Sequence, residues 1–338
     1  MWREHTMNDR AISVLNNYDI EVLRSWKGRG AILCETKEGI RILKEYKGSQ
    51  ERLWLQQQLL KEIKENGYSD VEEILVTKEG DLTVKDEDMV TYYLKEYREG
   101  RECNIKEYRE CAKFVENMAK LHKAMELPEF AKEKELNPFT PLKEFEKHNR
   151  ELRKVRKYLK TKGQKSEFEL ALNHHYDFFY EKAEKILEES NAQKEIFQCS
   201  KEQGTFCHGD FQHHNGLMKD EKMYVINFEK FVLDNPTRDL SLFLRKLMEK
   251  NNWSKELGQY ILEIYQKQRP LNQAEKYQLY YRLSYPEKFW KIVNFYYNSG
   301  KAWIPGRNME KLEKLLKQEE EKSIFLEQNF LQGVLQKV

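Results

Sequence analysis

The chain has 338 residues, and its 59 Lys and Arg nearly cancel its 57 Asp and Glu to leave a net charge of +2. That length can bury a substantial core, as one two-lobed enzyme-sized unit or as two modest domains. The charge balance excludes a global field that would draw the chain onto nucleic acid or an anionic membrane. A charged fraction of 34% with 12% aromatics fits a helix-rich protein whose charges sit on solvated faces.

Five cysteines, Cys34, Cys103, Cys111, Cys199 and Cys207, are odd in number and scattered, which argues against a disulfide framework and for a reducing compartment. Met1 to Arg10 is polar and mixed in charge, and no eighteen apolar residues run together. Neither a secretory signal nor a membrane span is expected, and synthesis and folding in the cytoplasm are.

Three short extended runs come first, Ile20 to Ser25, Gly30 to Thr36 and Ile40 to Tyr46, and they predict an antiparallel meander. A helix follows from Ser49 to Asn66, with Leu53, Leu59, Leu60 and Ile63 on one side and Asn66-Gly67 as its stop. Glu73 to Thr77, Leu82 to Val84 and Thr91 to Tyr97 are further strand candidates. Beyond Gly100 the pattern is mainly helical: Ile105 to Met125, a connection from Pro128 to Pro141, two charged helices within Leu142 to Ser190, and more from Asp239. Gly204 to Leu233 interrupts them with a loop and a short strand, Met223 to Phe228. A sheet lobe followed by a helical lobe is an α+β order with no βαβ alternation.

Phosphoryl transfer needs a carboxylate beside the attacking hydroxyl and acidic or amide ligands that hold magnesium against phosphates. His208-x-Asp210-x-x-x-x-Asn215 has the spacing of a kinase catalytic loop, with Asp210 as base and Asn215 as metal ligand. Where a kinase places its second metal-binding Asp, the segment Ile226-Asn227-Phe228-Glu229 has an Asn. Asn offers a hard cation one neutral oxygen in place of a charged carboxylate, so metal affinity should fall. If this segment is a strand, Glu229 projects beside Asn227 and supplies a carboxylate.

The His208 to Asn215 loop, Ile226-Asn227-Phe228-Glu229 and Arg238-Asp239-Leu240 resemble an aminoglycoside phosphotransferase or choline kinase type domain. Glu99-Gly100-Arg101-Glu102-Cys103, Lys47 to Leu53, Lys165-Ser166-Glu167-Phe168 and Tyr285 to Lys291 are similar to the CotS family of spore coat proteins. The resemblance spans the chain from the first strand to about Leu316. It implies a two-lobed protein-kinase-like fold: a small antiparallel-sheet lobe over residues 1–98 and a large, mainly helical lobe over 99–338 that carries the segment 208–229. It implies a protein made in the mother-cell cytoplasm of an endospore-forming bacterium and deposited in the spore coat among other coat proteins.

Carried over position by position, Lys44 on the third strand matches the lysine that holds the α- and β-phosphates of ATP. Gly28-Arg29-Gly30 stands where a phosphate-covering loop belongs, but is shorter than the kinase motif. Tyr93 to Gly100 matches the inter-lobe hinge, with adenine expected against the backbone near Glu96 and Arg98. Asn215, Asn227 and Glu229 are the candidate magnesium ligands. A kinase pairs the strand lysine with a helix Glu, yet Glu51 and Glu62 lie at the ends of the first helix and Gln56-Gln57-Gln58 fill its middle.

Blander explanations stand beside these. Asp210 could be a loop residue bonding backbone amides, and His208 is expected to orient its loop through hydrogen bonds. His208, His213 and His214 with Cys207 lack the second ligand cluster of a zinc site. Asp239 is expected to cap the helix that follows. The aromatics from Tyr280 to Trp303 could cage a cationic substrate, but their helical spacing favours core packing. The charged run Glu144 to Lys165 is expected to be a solvated face. Three readings of function remain: a coat component with ATP and magnesium binding weakened or lost, an active ATP-dependent phosphotransferase acting on a small hydroxyl-bearing molecule or a coat protein, or a protein that keeps ATP as a fold stabiliser without turnover.

Overall fold

The computed structural model describes residues 13–28, 30–126, 140–197, 205–219, 222–298 and 305–331. Arg29 of the glycine-flanked turn, most of the Pro128 to Pro141 connection, Cys199 and Trp303 lie outside the described residues. The order is α+β: antiparallel sheet first, then mainly helix.

Strands β1 (Val22–Gly28), β2 (Ala31–Thr36) and β3 (Gly39–Glu45) form the expected meander, with Thr36 opposite Gly39 across the second turn. Gly39 sits at φ 114, a backbone state closed to residues with a Cβ. Helix α1 (Gln50–Glu65) is capped by the Ser49 side chain, which accepts the Arg52 amide, and it buries Leu53, Leu59, Leu60 and Ile63 as its sequence pattern requires. The short strands β4 (Ile74–Leu75) and β5 (Val84–Lys85) both pair with β6 (Thr91–Glu96), which also pairs with β3. Every pair is antiparallel. A second small sheet joins β7 (Arg101–Glu102), β9 (Gly216–Lys219) and β10 (Lys222–Val225).

The helical part comprises α2 (Tyr108–Ala124), α3 (Pro141–Thr161), α4 (Glu167–Ala192), α5 (Thr237–Lys250), α6 (Lys255–Gln268), α7 (Gln273–Ser284), α8 (Glu287–Asn298), α9 (Pro305–Lys317) and α10 (Glu319–Leu326). Strands β8 (Thr205–Cys207) and β11 (Val232–Asp234) pair with each other. By contacts the chain divides into two compact units. The first groups residues 1–104, 120–134 and 208–231, and the second groups 105–119, 135–207 and 232–338.

In the second unit, a core of Leu152, Leu159, Phe168, Leu172, Phe179 and Phe289 joins α3, α4 and α8. Tyr285 stacks on Phe145 at 4.3 Å and Phe289 on Phe179 at 4.5 Å, so the aromatic segment packs as core. The charged face of α3 pairs across to α4 through Arg153 with Glu184 and Arg156 with Asp177. A buried ion pair, Arg282 with both oxygens of Asp234 at 2.9 Å, ties α7 to β11. Asp239 does not cap α5. The helix opens two residues earlier, because Pro236 presets its entry and Asn235 Oδ1 accepts the Thr237 amide at 2.9 Å.

Candidate active site

Residues directly opposite on an antiparallel ladder share a face, and so do residues two apart on one strand. Lys44 of β3 lies opposite Tyr93 of β6, and Ile42 lies opposite Lys95. Lys44, Tyr93 and Lys95 therefore project from one face of the first unit's sheet. Val71 bridges Val225 in parallel, and the Glu72 amide donates to the Val225 carbonyl at 3.1 Å, which carries Glu72 to the end of β10. Just past that end the chain turns at Asn227, whose φ of 68 and ψ of 55 are left-handed. Asn tolerates that state better than other residues with a Cβ. One 3₁₀ turn, Phe228–Lys230, follows.

These elements converge on a closed polar network. The Lys95 ammonium donates to Glu72 Oε2 at 2.7 Å and to Asn227 Oδ1 at 3.1 Å, and lies 3.8 Å from Glu229 Oε1. The Glu72 carboxylate also accepts the backbone amides of Asn227 and Phe228, each at 2.9 Å. Gln56, in the middle of α1, reaches the same carboxylate at 3.4 Å. The side chains of Lys95 and Glu72 are 4% and 1% exposed, so this ion pair is removed from water. Burial alone would lower the Lys95 pKa, but Glu72 and then Glu229 overcome it and hold the amine above its ordinary value.

Lys44 Nζ meets Glu229 Oε1 at 2.5 Å, and the Tyr93 hydroxyl donates to the same oxygen at 2.9 Å. Burial would raise the Glu229 carboxyl, but Lys95 and Lys44 outweigh it and bring it down to about 2. The Tyr93 hydroxyl is pushed up, first by burial and then by Glu229. Two ammonium groups thus balance two carboxylates.

The loop from His208 to Asn215 is built around a buried imidazole. His208 Nδ1 accepts the Asp210 amide at 3.2 Å while Nε2 lies 2.9 Å from the Ile226 carbonyl, which assigns the ring proton to Nε2. Gly209 has φ +79, and a Cβ there would stand 2.0 Å from the Lys230 carbonyl oxygen. Asp210 accepts from Gln212 Nε2 at 2.6 Å and from Lys230 Nζ at 2.8 Å. Burial pushes its carboxyl up, but Lys230 and Gln212 prevail and hold it below the usual range, so Asp210 is ionised at neutral pH. Asn215 Nδ2 donates to the Asp210 carbonyl at 2.7 Å, and its Oδ1 accepts from Asn227 Nδ2 at 2.9 Å.

Of the residues expected from sequence, Lys44, Asp210, Asn215, Asn227 and Glu229 lie in the first unit on this network and its adjoining loop. Glu96 and Arg98 lie apart from it, paired with each other at 2.6 Å, with the Arg98 guanidinium 4.7 Å from the Tyr224 ring centre. The sequence left the partner of Lys44 open; the carboxylate found there is Glu229, while Gln56 in the middle of α1 turns to Glu72. One expectation is corrected. Glu229 reaches the site from a 3₁₀ turn and not from a strand, because the left-handed Asn227 ends the extended backbone.

Lys95, Glu72, Tyr93 and Lys230 were not foreseen from sequence. Lys95 alone carried a signal, since it is two residues from Tyr93 on a strand already expected to border the site.

Magnesium would meet oxygens that already have partners in this arrangement. A metal ion would have to displace or share bonds already made: Asn227 Oδ1 accepts from an ammonium, Asn215 Oδ1 from an amide, and Glu229 Oε1 from Lys44 and Tyr93. Among the described residues no group of three or more His, Cys, Asp or Glu is placed to hold a metal ion.

A family model described as "Spore coat putative kinase YutH" matches residues 12–329. No curated protein matches the chain. Among solved structures, an aminoglycoside phosphotransferase from Alicyclobacillus acidocaldarius superposes with a TM-score of 0.83 at 20% identity, over 96% of both chains. The AMP-bound spectinomycin phosphotransferase APH(9)-Ia gives 0.63 at 14% identity over 95% of this chain and 98% of that one. A choline kinase from Cryptosporidium parvum gives 0.56 at 14% identity, over 98% of each. These likenesses establish the kinase-like fold.

Proposed function

The chain belongs to the YutH spore coat kinase family, and from that premise we propose that it is a spore coat component whose kinase-like fold has exchanged its divalent metal for an internal ammonium. Nucleotide binding is thereby weakened, and the protein serves the coat through its folded body and not through phosphate transfer. One observation carries this reading: Lys95 Nζ is bonded to the side-chain oxygen of Asn227, the residue at the position where a kinase holds metal. A magnesium ion there would have to displace or share four hydrogen bonds and sit beside a buried positive charge, which Coulomb repulsion at such range opposes by several kcal/mol even at an effective dielectric of about 20.

Spectinomycin phosphotransferase was solved with AMP, and amicoumacin kinase with AMP-PNP and calcium, so nucleotide and metal are at home in this fold. The family supports a place in the spore coat, with other coat proteins as the proposed partners. Asp210, ionised and 2.8 Å from Lys230, is the group that would serve as base if transfer occurred.

Thermal unfolding with ATP, with magnesium and with both tests the proposal. The wild type should show no shift that requires the metal, whereas Asn227→Asp combined with Lys95→Met should gain one. A magnesium-dependent ATP shift in the wild type, together with phosphate transfer that Asp210→Asn abolishes, would overturn the reading in favour of an active phosphotransferase.

A further inference from the structure

The second unit holds a cavity of about 170 Å³ among α5, α9 and α10, remote in sequence from every residue of the site above. Its lining is dominated by cations. Lys246, Lys250, Lys311, Lys314 and Lys322 line it, and none of the five makes an ion pair among the described residues. Arg245 and Lys288 line it as well, but both are engaged by Glu249, at 3.9 and 3.3 Å. Glu249 and Glu319 are the carboxylates of the lining, and Glu319 is already paired with Lys182.

The informative member is Lys322. Its residue is only 7% exposed, it lines the cavity, and among the described residues its ammonium has neither a hydrogen-bond acceptor nor a carboxylate partner within ion-pair distance. Its recorded contact is the ring of Trp253, 5.4 Å away. Glu319 and Glu249 attract the ammonium only from beyond ion-pair distance, and a buried charge with no carboxylate in contact is costly, retained chiefly where something else neutralises it. Burial, then repulsion from Lys182, outweighs the attraction of Glu319 and Glu249 and brings the amine down to about 8; Lys246 is lowered by burial and nearby cations against the pull of Glu249, and Lys311 by burial, then Arg307 and Lys288.

The backbone beside the cavity is also unusual. Asn252 and Trp253 both have left-handed φ, 49 and 55, without being glycine. Gln318 holds that turn by donating to the Glu249 carbonyl at 3.0 Å and to Asn252 Oδ1 at 2.8 Å. Strain of this kind persists where surrounding contacts over-determine the conformation. Here it places the Trp253 ring under the Lys322 amine.

We propose that this cavity binds a small polyanion, a molecule bearing two or more phosphate-type groups, with the Lys322 ammonium at its floor and Lys250 and Lys314 at its sides. A single anionic group would leave most of the uncompensated lysines unanswered, and the cavity is smaller than a typical drug-sized pocket. Trp253 and Leu315 give one wall apolar character, so a compact phosphorylated organic molecule and inorganic polyphosphate share the required chemistry. The proposal is independent of the nucleotide site.

Titration calorimetry of the full chain with inorganic pyrophosphate, followed in parallel by tryptophan fluorescence, tests it. Saturable one-to-one binding that weakens with added salt is expected, with a dissociation constant below about 1 mM. Lys322→Met and Lys314→Ser should each weaken it at least about tenfold, the effect of removing one close charge-assisted contact. Lys44→Met, in the first unit, should leave it unchanged. Should Lys322→Met fail to fold, Lys250→Ser joins Lys314→Ser as the second variant. A phosphorylated sugar binding more tightly than pyrophosphate would identify an organic ligand, and the reverse an inorganic one. Absence of saturable binding, equal binding by the lysine variants, or loss in Lys44→Met would each overturn the proposal.

Discussion

Replacing Lys95 by Met isolates what the buried ammonium does. The substitution keeps the length and apolar stem of the side chain and removes only the charge, leaving Glu72 with Gln56 and two backbone amides as partners. Breaking a buried ion pair by deleting one member typically costs 3–5 kcal/mol, most of it the penalty of the stranded charge. Because two amide hydrogen bonds at 2.9 Å still serve the Glu72 carboxylate, the expected loss lies at the low end, about 3 kcal/mol. Glu229, 3.8 Å from the same ammonium, adds to the loss through its own weakened neutralisation. The double variant Lys95→Met with Glu72→Gln removes both charges and should recover about 2 kcal/mol of that loss, since replacing a whole buried pair is often near neutral. Urea unfolding at neutral pH, followed by circular dichroism for the wild type, both single variants and the double, gives the coupling. A loss below about 1 kcal/mol for Lys95→Met, or a double variant no better than the sum of the singles, would refute the buried pair as described.

Three further outcomes follow from the geometry. Glu229, lowered to about 2, contributes stability that is complete above the ordinary carboxylate pKa and is lost as pH falls from about 4.5 toward 2; the loss is roughly 3 kcal/mol and should be much smaller in Glu229→Gln, measured as unfolding midpoint against pH. Gly209→Ala forces a Cβ onto the Lys230 carbonyl oxygen at a positive φ and should destabilise the protein by about 2 kcal/mol or more, which a melting curve would register. Lys322 titrates near 8 in the folded state, facing Lys182 of α4, Glu319 of its own helix, and Glu249 and Arg245 of α5. The unfolded chain therefore binds the extra proton between about pH 8 and 10.5, stability rises with pH across that window, and Lys322→Met should be more stable than wild type below it by an amount on the order of 3 kcal/mol.

The parts of the fold that depend on short-range chemistry were legible in the sequence. The meander follows from extended runs separated by a turn ending at Gly39, and α1 from a Ser cap and an apolar stripe. The loop at His208 to Asn215 was recognisable because its residues must lie at fixed spacing to hold one another, as the His208 and Asn215 bonds to Asp210 demonstrate. What stayed hidden depends on register between distant segments. Glu72 and Lys95 are 23 positions apart, and their meeting is decided by the register of β4 on β6, which sets Ile74 opposite Lys95, and nothing local to either residue announces it. The cap of α5 was misplaced for a different reason: Asp239 and Asn235 are both capable of capping, and only the Pro236 entry decides between them.

Charge accounting ties Asn227 to Lys95 more closely than either residue suggests alone. With Lys44, Lys95, Glu72 and Glu229 ionised, the cluster as it stands is neutral, and each amide of the Asn215 and Asn227 pair finds a partner within it. Were Asp at 227 and an apolar residue at 95, three carboxylates would face one ammonium, an excess of two negative charges that matches a single divalent cation. Asp alone, with Lys95 retained, leaves an excess of only one and also removes the donor that satisfies Asn215 Oδ1. On the proposed reading, the Asn and the Lys act as two halves of one exchange, in which a mobile divalent ion gives way to a tethered monovalent one and a neutral amide. That is why restoring the carboxylate without removing the ammonium should not restore the metal, and why the paired substitution is the decisive one.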